Sequence, residues 1–378
     1  MKYRSRLFRW KNPFAVEETE ELFLKAVKEN CRFQYDHCEP YRKILKHFQF
    51  SPEDLREKKD IESLPFLPTW VFKNHTLFSM PERRMLIQAT SSGTKGKFSR
   101  IGFEFGGLFC GLRMVLKIGG WRKLFSLYPV HYIVLGYKPA KGNKTAVTKT
   151  AYGATLFTPA LSRTFALKKR NGSYEPDLEG VIAAIVKYST GHFPVRFMGF
   201  PSYLYFVLQK MEDENIKVKL PKGSKILLGG GWKQFYTEQV DKQTLYELAE
   251  KILGVKESEI VEFFGAVEHP ILYCDCPSHH FHVPVYSRVI IRDVDTLKPV
   301  KTGEVGLVNL ITPMALATPI LSIMTDDLGV LHEGKECGCG IESPYLEILG
   351  RVGFKDIQTC AAGAAAYLEN SEKSEGKP

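Results

Sequence analysis

The sequence predicts an α/β fold in which mostly parallel sheets are flanked by helices. Short apolar segments that are typical of buried strands occupy residues 125–135, 152–157 and 196–198. A helical segment, residues 180–187, separates the second and third of these strands. Because parallel strands need a crossover segment between them, strands that alternate with helices indicate parallel pairing.

The N-terminal region is predicted to be helical. Residues 17–30 form an amphipathic stretch, and residues 41–48 predict a second, shorter helix. Residues 51–54, Ser-Pro-Glu-Asp, are typical of a helix start, with Ser51 as the N-cap. Further along, residues 106–120 predict a helix with an apolar buried face. The side chains expected in the core from this helix are Leu108, Leu112, Val115 and Leu116.

The composition is that of an ordinary soluble globular enzyme. The chain has 378 residues, of which 44% are hydrophobic and 25% are charged, so it can form a large core and more than one subdomain. The formal charge of +10 is spread widely, which favours an anionic substrate or partner over dedicated nucleic-acid binding. There is no apolar run of transmembrane length and no apolar signal segment, so we expect a cytoplasmic protein without a membrane span.

A polar segment after residues 86–89 is suited to binding phosphate. Its two glycines allow tight turns and a close approach of the backbone to a ligand. Consecutive N–H groups, hydroxyls and two lysines would then surround an anion. The alternative is a flexible surface turn, because the spacing matches neither of the common glycine-rich phosphate motifs. The segment comprises Thr90, Ser91, Ser92, Gly93, Thr94, Lys95, Gly96 and Lys97.

Two Cys-x-Cys pairs suggest a metal site. They are Cys274 with Cys276 and Cys337 with Cys339, and in a reducing compartment such pairs favour metal over disulfides. Thiolates combined with imidazoles suit a four-coordinate structural Zn²⁺ site. The alternative is reduced, free cysteines on neighbouring turns. The histidines that follow the first pair are His279, His280 and His282.

A run of three glycines follows a predicted strand. Residues 226–228 are apolar, and Gly229, Gly230 and Gly231 come directly after them. Three successive glycines are costly in backbone entropy, so the run suggests either a closely approaching ligand or a tight loop without one.

Five motifs occur in the order that is typical of the adenylate-forming superfamily, which the chain resembles. They are the polar loop, the three glycines, an aromatic-Gly-x-x-Glu segment at residues 264–268, Asp-Asp-Leu-Gly at residues 326–329 and Gly-Arg at residues 350–351. Members of that superfamily activate carboxylates with ATP, forming an acyl-adenylate and pyrophosphate. The resemblance implies an adenylate-forming enzyme body with mostly parallel sheets flanked by helices, plus a smaller β-rich subdomain.

The resemblance also implies a role for each motif. The loop from Ser91 to Lys97 would hold the β- and γ-phosphates, with Lys97 in the catalytic set. Glu268 would hold Mg²⁺, an ion that is bound by one or two carboxylates together with phosphate oxygens. Taken alone, Glu268 and His269 could equally form a surface turn. The adenine would lie against Gly229, Gly230, Gly231, Phe264 and Gly265.

The ribose would be bound near the end of the chain. Asp327 matches an aspartate whose two oxygens accept hydrogen bonds from both ribose hydroxyls, and the alternative is an Asx turn that ends a strand. Arg351 would reach the ribose or a phosphate as a further catalytic residue. Three positions depart from the pattern, because Lys95 and Val267 stand where threonine is usual and Asp326 stands where glycine is usual.

The resemblance also implies which of the cysteines and histidines bind the metal. One branch of the superfamily carries a Cys…His…Cys-x-Cys site, and Cys274 could take the place of its first cysteine. The implied ligands of a structural Zn²⁺ are Cys276, His282, Cys337 and Cys339.

The short C-terminal end points to one subfamily. Only residues 357–378 follow the segment that begins with the Gly-Arg motif and ends at Asp356, too few for the lysine-bearing domain that most members carry there. Over about residues 35–365 the chain resembles the acyl-protein synthetases of the bacterial bioluminescence fatty-acid reductase. These enzymes activate a fatty acid and pass the acyl group to a cysteine near their own C-terminus, and from there to a reductase partner.

Cys360 is the predicted acyl acceptor. Small neighbours leave its sulfur accessible, and a thiolate attacks a mixed anhydride readily to give a transferable thioester. The alternative is a small apolar residue on an alanine-rich helix. The predicted parts of the chain are a helical lead-in at residues 1–62, an adenylating core at residues 63–350 and a short C-terminal segment at residues 351–378.

Three alternatives to this function remain open. The enzyme could hand the acyl group to coenzyme A or another small nucleophile, or it could serve a biosynthetic pathway outside light emission. It could also be a non-enzymatic zinc-binding interaction protein with the same fold.

Overall fold

The chain forms two compact units. The first comprises Met1–Ile118 together with Gly265–Pro378, and the second, Gly119–Phe264, is inserted between these two parts. The predicted division into residues 1–62, 63–350 and 351–378 remains a prediction from the sequence. The computed structural model describes residues 1–90, 99–139, 152–156, 158–170, 173–232, 235 and 239–351.

Helices begin the first unit, as the sequence predicts. Helix α1 spans Lys2–Leu7, α2 spans Glu20–His37 and α3 spans Glu39–His47. Ser51 caps the 3₁₀ turn Pro52–Asp54, because its side chain accepts a hydrogen bond from the backbone N–H of the second residue of that turn. In the described part of the chain, no helix combines the length and the apolar character needed to cross a membrane.

The main sheet of the first unit is largely antiparallel. Its strands follow the order β11-β15-β14-β13-β12, and the short strand β1 pairs with β14 in the parallel direction. The fold is therefore mixed α/β, with an antiparallel sheet in addition to the predicted parallel pairing. The strands are β1 (Leu67–Pro68), β11 (Phe281–His282), β12 (Arg288–Arg292), β13 (Val305–Ile311), β14 (Ser322–His332) and β15 (Tyr345–Arg351).

A second, two-stranded sheet carries the two ends of the predicted phosphate loop. Strand β2 (Ile87–Thr90) pairs with strand β3 (Arg100–Phe103) in the antiparallel direction, and Thr90 lies opposite Arg100. The same unit contains helix α4 (Thr69–Asn74), helix α5 (Phe105–Trp121), whose last residues continue into the second unit, and strand β10 (His269–Cys274).

Helix α5 is present as predicted, but the predicted buried face is wrong. Leu112 and Leu116 are 43% and 49% exposed, whereas Cys110, Met114 and Ile118 are buried. The backbone N–H of Leu272 in β10 donates to the Met114 sulfur at 3.4 Å, so this other face contacts β10. The helix has apolar side chains on both faces, and contacts with segments distant in the sequence decide which face is buried.

A buried ion pair connects the start of the chain to the interior of the first unit. Arg4 Nη1 lies 2.6 Å from Glu104 Oε1 and donates to the Met314 carbonyl oxygen at 2.8 Å. The other carboxylate oxygen of Glu104 accepts from the backbone N–H groups of Leu316 and Ala317, at 3.0 and 3.1 Å. Helix α1 is therefore held to the connection between β13 and β14.

The second unit contains the parallel sheet that the sequence predicts. Its strands follow the order β9-β8-β7-β4-β5-β6, and every described pair in it is parallel except β5–β6. The elements are β4 (Val130–Tyr137), β5 (Ala160–Arg170), β6 (Ser173–Pro176), α6 (Leu178–Ser189), β7 (Val195–Gly199), α7 (Pro201–Asp213), β8 (Lys225–Gly229), α8 (Lys242–Leu253) and β9 (Ile260–Ala266), whose last two residues belong to the first unit.

The predicted strand at residues 152–157 is wrong. Residues 152–154 are helical, and residue 157 lies outside the described part. Both the backbone N–H and the hydroxyl of Thr155 donate to the Tyr152 carbonyl oxygen, at 3.0 and 2.6 Å. These local hydrogen bonds close a turn, which competes with strand pairing.

Candidate active site and metal centre

The structure buries Glu268. This residue lies in the turn between β9 and β10, and only 4% of it is exposed. The Ser99 hydroxyl donates a hydrogen bond to Glu268 Oε1. Burial is the main cause that raises the pKa of Glu268, with Asp326 contributing in the same direction and Ser99 and Lys73 opposing it. The alternative prediction of a surface turn is therefore wrong, because both Glu268 and His269 are buried.

Two residues that the sequence reasoning missed hold acidic groups in this region. Ser99 is completely buried and directly follows the predicted phosphate loop. Thr69, the first residue of α4, donates from its hydroxyl to Asp326 Oδ1 at 3.3 Å. The sequence offers only a weak indication of Ser99 and Thr69, because each is simply a hydroxyl residue at the start of an apolar segment.

The two predicted ribose residues lie next to each other. Asp327 and Arg351 are register partners across β14 and β15, and Arg351 Nε donates to Asp327 Oδ1 at 3.0 Å. The Asp327 carboxylate is almost buried, whereas the Arg351 side chain is 64% exposed. A carboxylate held at one oxygen by a guanidinium still offers acceptor positions to a hydroxyl-bearing ligand.

The three predicted adenine-binding glycines lie at the end of a strand in the second unit. Gly229 ends β8, and Gly230 and Gly231 have φ angles of 85° and 67°. Residues other than glycine rarely adopt this left-handed backbone conformation, so these two positions favour glycine. Gly229 is the register partner of Phe263, and the next residue on β9 is the predicted adenine-stacking Phe264, which is half-buried.

Part of the predicted site lies outside the described residues. It includes the phosphate-loop residues and the predicted acyl acceptor. Gly265 is described, and it is exposed near the end of β9. The predicted site residues outside the described part are Ser91, Ser92, Gly93, Thr94, Lys95, Gly96, Lys97 and Cys360.

The four predicted zinc ligands come together. The ligand atoms of Cys276, His282, Cys337 and Cys339 all lie within 4.8 Å of one another. The Cys276 and Cys337 sulfurs are 3.5 Å apart, and Cys339 Sγ lies 3.2 Å from His282 Nε2. A tetrahedral zinc with thiolate ligands separates their sulfurs by about 3.8 Å, so this donor set fits Zn²⁺.

Hydrogen bonds orient the ligands of this cluster. His282 Nδ1 lies 2.7 Å from the Ser343 carbonyl oxygen, to which it donates, so the lone pair of its Nε2 faces the cysteines. The Ser278 backbone N–H donates to the Cys276 sulfur at 3.3 Å, and His280 Nδ1 lies 3.2 Å from the Cys337 sulfur.

The structure also narrows the alternatives for the ligand set. Cys274 is buried but does not belong to the cluster of ligand atoms found among the described residues. His279 Nδ1 instead lies 2.6 Å from the buried Asp275 carboxylate. The cluster therefore agrees with the first choice of ligands and not with the replacement of Cys276 by Cys274.

Comparisons with known proteins agree with the fold and the motifs. A long-chain-fatty-acid–luciferin-component ligase of Aliivibrio fischeri is 26% identical over 374 residues, covering 95% of this chain and 92% of the relative. A phenylacetate-coenzyme A ligase of Aromatoleum evansii is 22% identical over 325 residues, covering 82% of this chain and 66% of the relative. A crystal structure of 2-hydroxyisobutyryl-CoA ligase in an open conformation, at 15% identity, has a TM-score of 0.66 and covers 90% of this chain and 71% of that chain.

This structural likeness confirms the predicted fold. The family model described as "Acyl-protein synthetase, LuxE" matches residues 5–368, which is nearly the whole sequence. The resemblance inferred from the five ordered motifs is therefore confirmed. The chain belongs to the acyl-protein synthetase, LuxE, family, and it is an enzyme of the ligase class.

Proposed function

We propose that this enzyme uses ATP to activate a fatty acid as its acyl-adenylate and then transfers the acyl group to the Cys360 thiol and on to a partner protein. The observation that carries the proposal is the match of the acyl-protein synthetase family to residues 5–368. The relative in Aliivibrio fischeri, which is named for a long-chain fatty acid, supports the substrate class.

The first step would be adenylate formation. A carboxylate oxygen of the acid attacks the α-phosphorus of ATP, the bond from that phosphorus to the bridging oxygen breaks, and pyrophosphate leaves. The loop residues Ser91 to Lys97 would hold the β- and γ-phosphates, with Lys95 and Lys97 neutralising their charge. Catalysis would then consist mainly of positioning and electrostatic stabilisation.

The remaining nucleotide contacts are proposed for residues that the structure describes. Asp327 and Arg351 would bind the ribose, a role that their 3.0 Å contact across β14 and β15 supports. Gly229, Gly230 and Phe264 would receive the adenine. The resemblance also assigns Gly231 and Gly265 to the adenine.

Glu268 fits a magnesium site, because it is a buried oxygen donor with one oxygen already held by a hydroxyl. Bound Mg²⁺ would supply positive charge next to the phosphate oxygens. The protein's own contribution would be to hold that carboxylate in one orientation and to exclude water from around it.

The second step would be acyl transfer. The Cys360 thiolate attacks the acyl carbon, the bond from that carbon to the phosphate oxygen breaks, and AMP leaves. The thioester product remains reactive, so a thiol of a reductase-like partner can accept the acyl group in turn. A reducing compartment such as the cytoplasm would keep these thiols free.

We also propose a structural Zn²⁺ at Cys276, His282, Cys337 and Cys339. Their spacing supports this assignment. The ion would cross-link the segment around β11 to the segment before β15. Four protein ligands leave no position for a catalytic water.

The test is ATP–pyrophosphate exchange with a panel of carboxylic acids, followed by the intact mass of the protein. We expect exchange with fatty acids, and a protein mass increased by one acyl group in wild type but not in Cys360→Ala. Absence of exchange with every acid would reject the proposal, and an adduct on both proteins would exclude Cys360 as the acceptor.

A second candidate is an acyl-CoA ligase, which the phenylacetate-coenzyme A ligase relatives favour. In that case coenzyme A, not Cys360, accepts the acyl group from the adenylate. Cys360→Ala would then keep the full rate of AMP formation in the presence of coenzyme A, and the acyl-CoA product would be detected by mass spectrometry.

A further inference from the structure

We propose that Ser99 is a positioning residue that orients the Glu268 carboxylate for binding Mg²⁺ together with the nucleotide phosphates. The inference rests on the proposed function, because it assumes that Glu268 is a magnesium ligand. It adds a residue that none of the five sequence motifs contains.

The first support is the contact itself. The Ser99 hydroxyl donates to Glu268 Oε1, and the two residues are 0% and 4% exposed. A carboxylate that is withdrawn from water needs hydrogen-bond donors to remain favourable. The Ser99 hydroxyl is such a donor, and it fixes the position of Oε1.

The second support is the rigid attachment of Ser99. The residue after it, Arg100, begins strand β3 and is paired with Thr90 of β2. Two residues further, the Gly102 backbone N–H donates to the Thr318 hydroxyl at 2.9 Å. The Ser99 hydroxyl is therefore presented from a strand that is anchored on the interior of the first unit.

The third support is the position of the pair in the chain. Ser99 directly follows the predicted phosphate loop, whereas Glu268 lies 169 positions further along the chain. The hydrogen bond therefore connects the residue that directly follows the loop in the sequence to the predicted magnesium ligand. Residues that hold a metal ligand in place in this way commonly affect metal affinity about 10- to 100-fold.

If Ser99 had a purely structural role, replacing it would lower stability without changing the response to Mg²⁺. Ser79 provides a matched control for that case. Ser79 is 3% exposed, and its hydroxyl donates to the Gln34 side-chain oxygen in the same unit. Ser79→Ala removes a buried serine hydrogen bond of the same kind, but from α2 and not from Glu268. It should lower stability without changing the response to Mg²⁺.

The experiment measures binding of α,β-methylene-ATP by calorimetry, once with excess Mg²⁺ and once with EDTA. The ratio of the two affinities is the magnesium enhancement. We expect Ser99→Ala to reduce this enhancement about 10- to 100-fold while leaving the affinity in EDTA unchanged. Ser99→Thr, which keeps the hydroxyl, should restore it, and Ser79→Ala should keep the wild-type value.

A double-mutant cycle then tests whether Ser99 acts through Glu268. Once Glu268→Gln has removed the charge, adding Ser99→Ala should cause no further loss of magnesium enhancement. If circular dichroism shows that Ser99→Ala is unfolded, Ser99→Cys replaces it, because a thiol has similar size but is a weak donor.

The inference is overturned if Ser99→Ala keeps the wild-type enhancement, or if Ser79→Ala reduces it equally. Failure of the proposed function would look different. In that case wild-type protein would not bind the analogue under either condition and would show no ATP–pyrophosphate exchange.

Discussion

Arg351 and Asp327 are partners across two antiparallel strands, and Arg351 Nε donates to Asp327 Oδ1 at 3.0 Å. Strand register therefore brings together two residues that lie 24 positions apart in the sequence. Only the aspartate is buried, whereas the arginine side chain is 64% exposed.

Replacing Asp327 by asparagine should weaken binding of ATP. The amide keeps the size of the side chain but loses charge and one acceptor oxygen, so a pair of ribose hydroxyls would be left with one acceptor. Hydrogen bonds to charged groups have energies that correspond to an increase of about 10- to 100-fold in the KM for ATP. The measurement is the ATP dependence of pyrophosphate exchange.

Glu347→Gln is the matched control for this prediction. It changes a carboxylate on the same sheet that lies 2.9 Å from His332, and this carboxylate side chain is 51% exposed. Exposed pairs contribute little, so the KM for ATP should stay at the wild-type value. A KM for Asp327→Asn that equals that of the control would argue against a ribose contact.

Cys276→Ser should release zinc, and Cys274→Ser should not. Both cysteines are buried and lie two positions apart, but only Cys276 belongs to the cluster with His282, Cys337 and Cys339. Zinc release is expected only from Cys276→Ser, because the Cys276 sulfur lies next to the other three ligand atoms. Metal analysis of the purified proteins should find about one zinc per chain in wild type and in Cys274→Ser.

Thermal unfolding provides a second readout of the same site. A structural zinc contributes directly to folding stability, so a chelator should lower the melting temperature of wild type and have little effect on Cys276→Ser. Equal zinc content in both serine variants would contradict the ligand assignment.

Cys360→Ala should abolish the covalent acyl adduct while preserving adenylate formation. Adenylation needs only the acid and ATP, whereas the thioester needs the thiol, so the two reactions should separate. Pyrophosphate exchange should persist, and intact-mass spectrometry should show no acylated protein. Cys110→Ala, which removes a buried cysteine from α5, is the control and should retain the adduct. A fall of both activities together in Cys360→Ala would point to a structural role for this cysteine.

Arg4→Ala should destabilise the protein strongly. The guanidinium is buried against Glu104 and the Met314 carbonyl oxygen, so its removal leaves a carboxylate in the interior without its charge partner. Breaking a buried ion pair from one side costs about 3–5 kcal/mol of unfolding free energy. Urea denaturation followed by circular dichroism measures the change.

The control is Arg6→Ala on the same helix. Arg6 is exposed, and substitutions at such positions change the unfolding free energy by about 0.5 kcal/mol or less. Equal unfolding free energies for the two variants would show that the Arg4–Glu104 pair does not stabilise the fold.

Much of the fold was predictable because it depends on local sequence. The parallel sheet of the second unit follows from apolar strands that alternate with helices, and Ser51 forms the predicted cap. The glycines after β8 were also informative, since Gly230 and Gly231 adopt backbone angles that other residues avoid. In each case neighbouring residues carry the physical information.

The two errors have different causes. The buried face of α5 could not be chosen from periodicity, because both faces carry apolar residues and long-range contacts such as that of Met114 with Leu272 distinguish them. Residues 152–154 were misassigned because a threonine hydrogen bond favours a turn over a strand.

The sequence by itself determined the family, the order of the nucleotide motifs and the chemical types of the zinc ligands, because these are properties of residue identity and spacing. Tertiary structure alone decided that Cys276 and not Cys274 joins the cluster, that Glu268 is buried, and that Ser99 is its hydrogen-bond donor. Those outcomes depend on contacts between segments that are distant in the chain. Local composition carries no record of such contacts, so only the packed fold can select among chemically equivalent side chains.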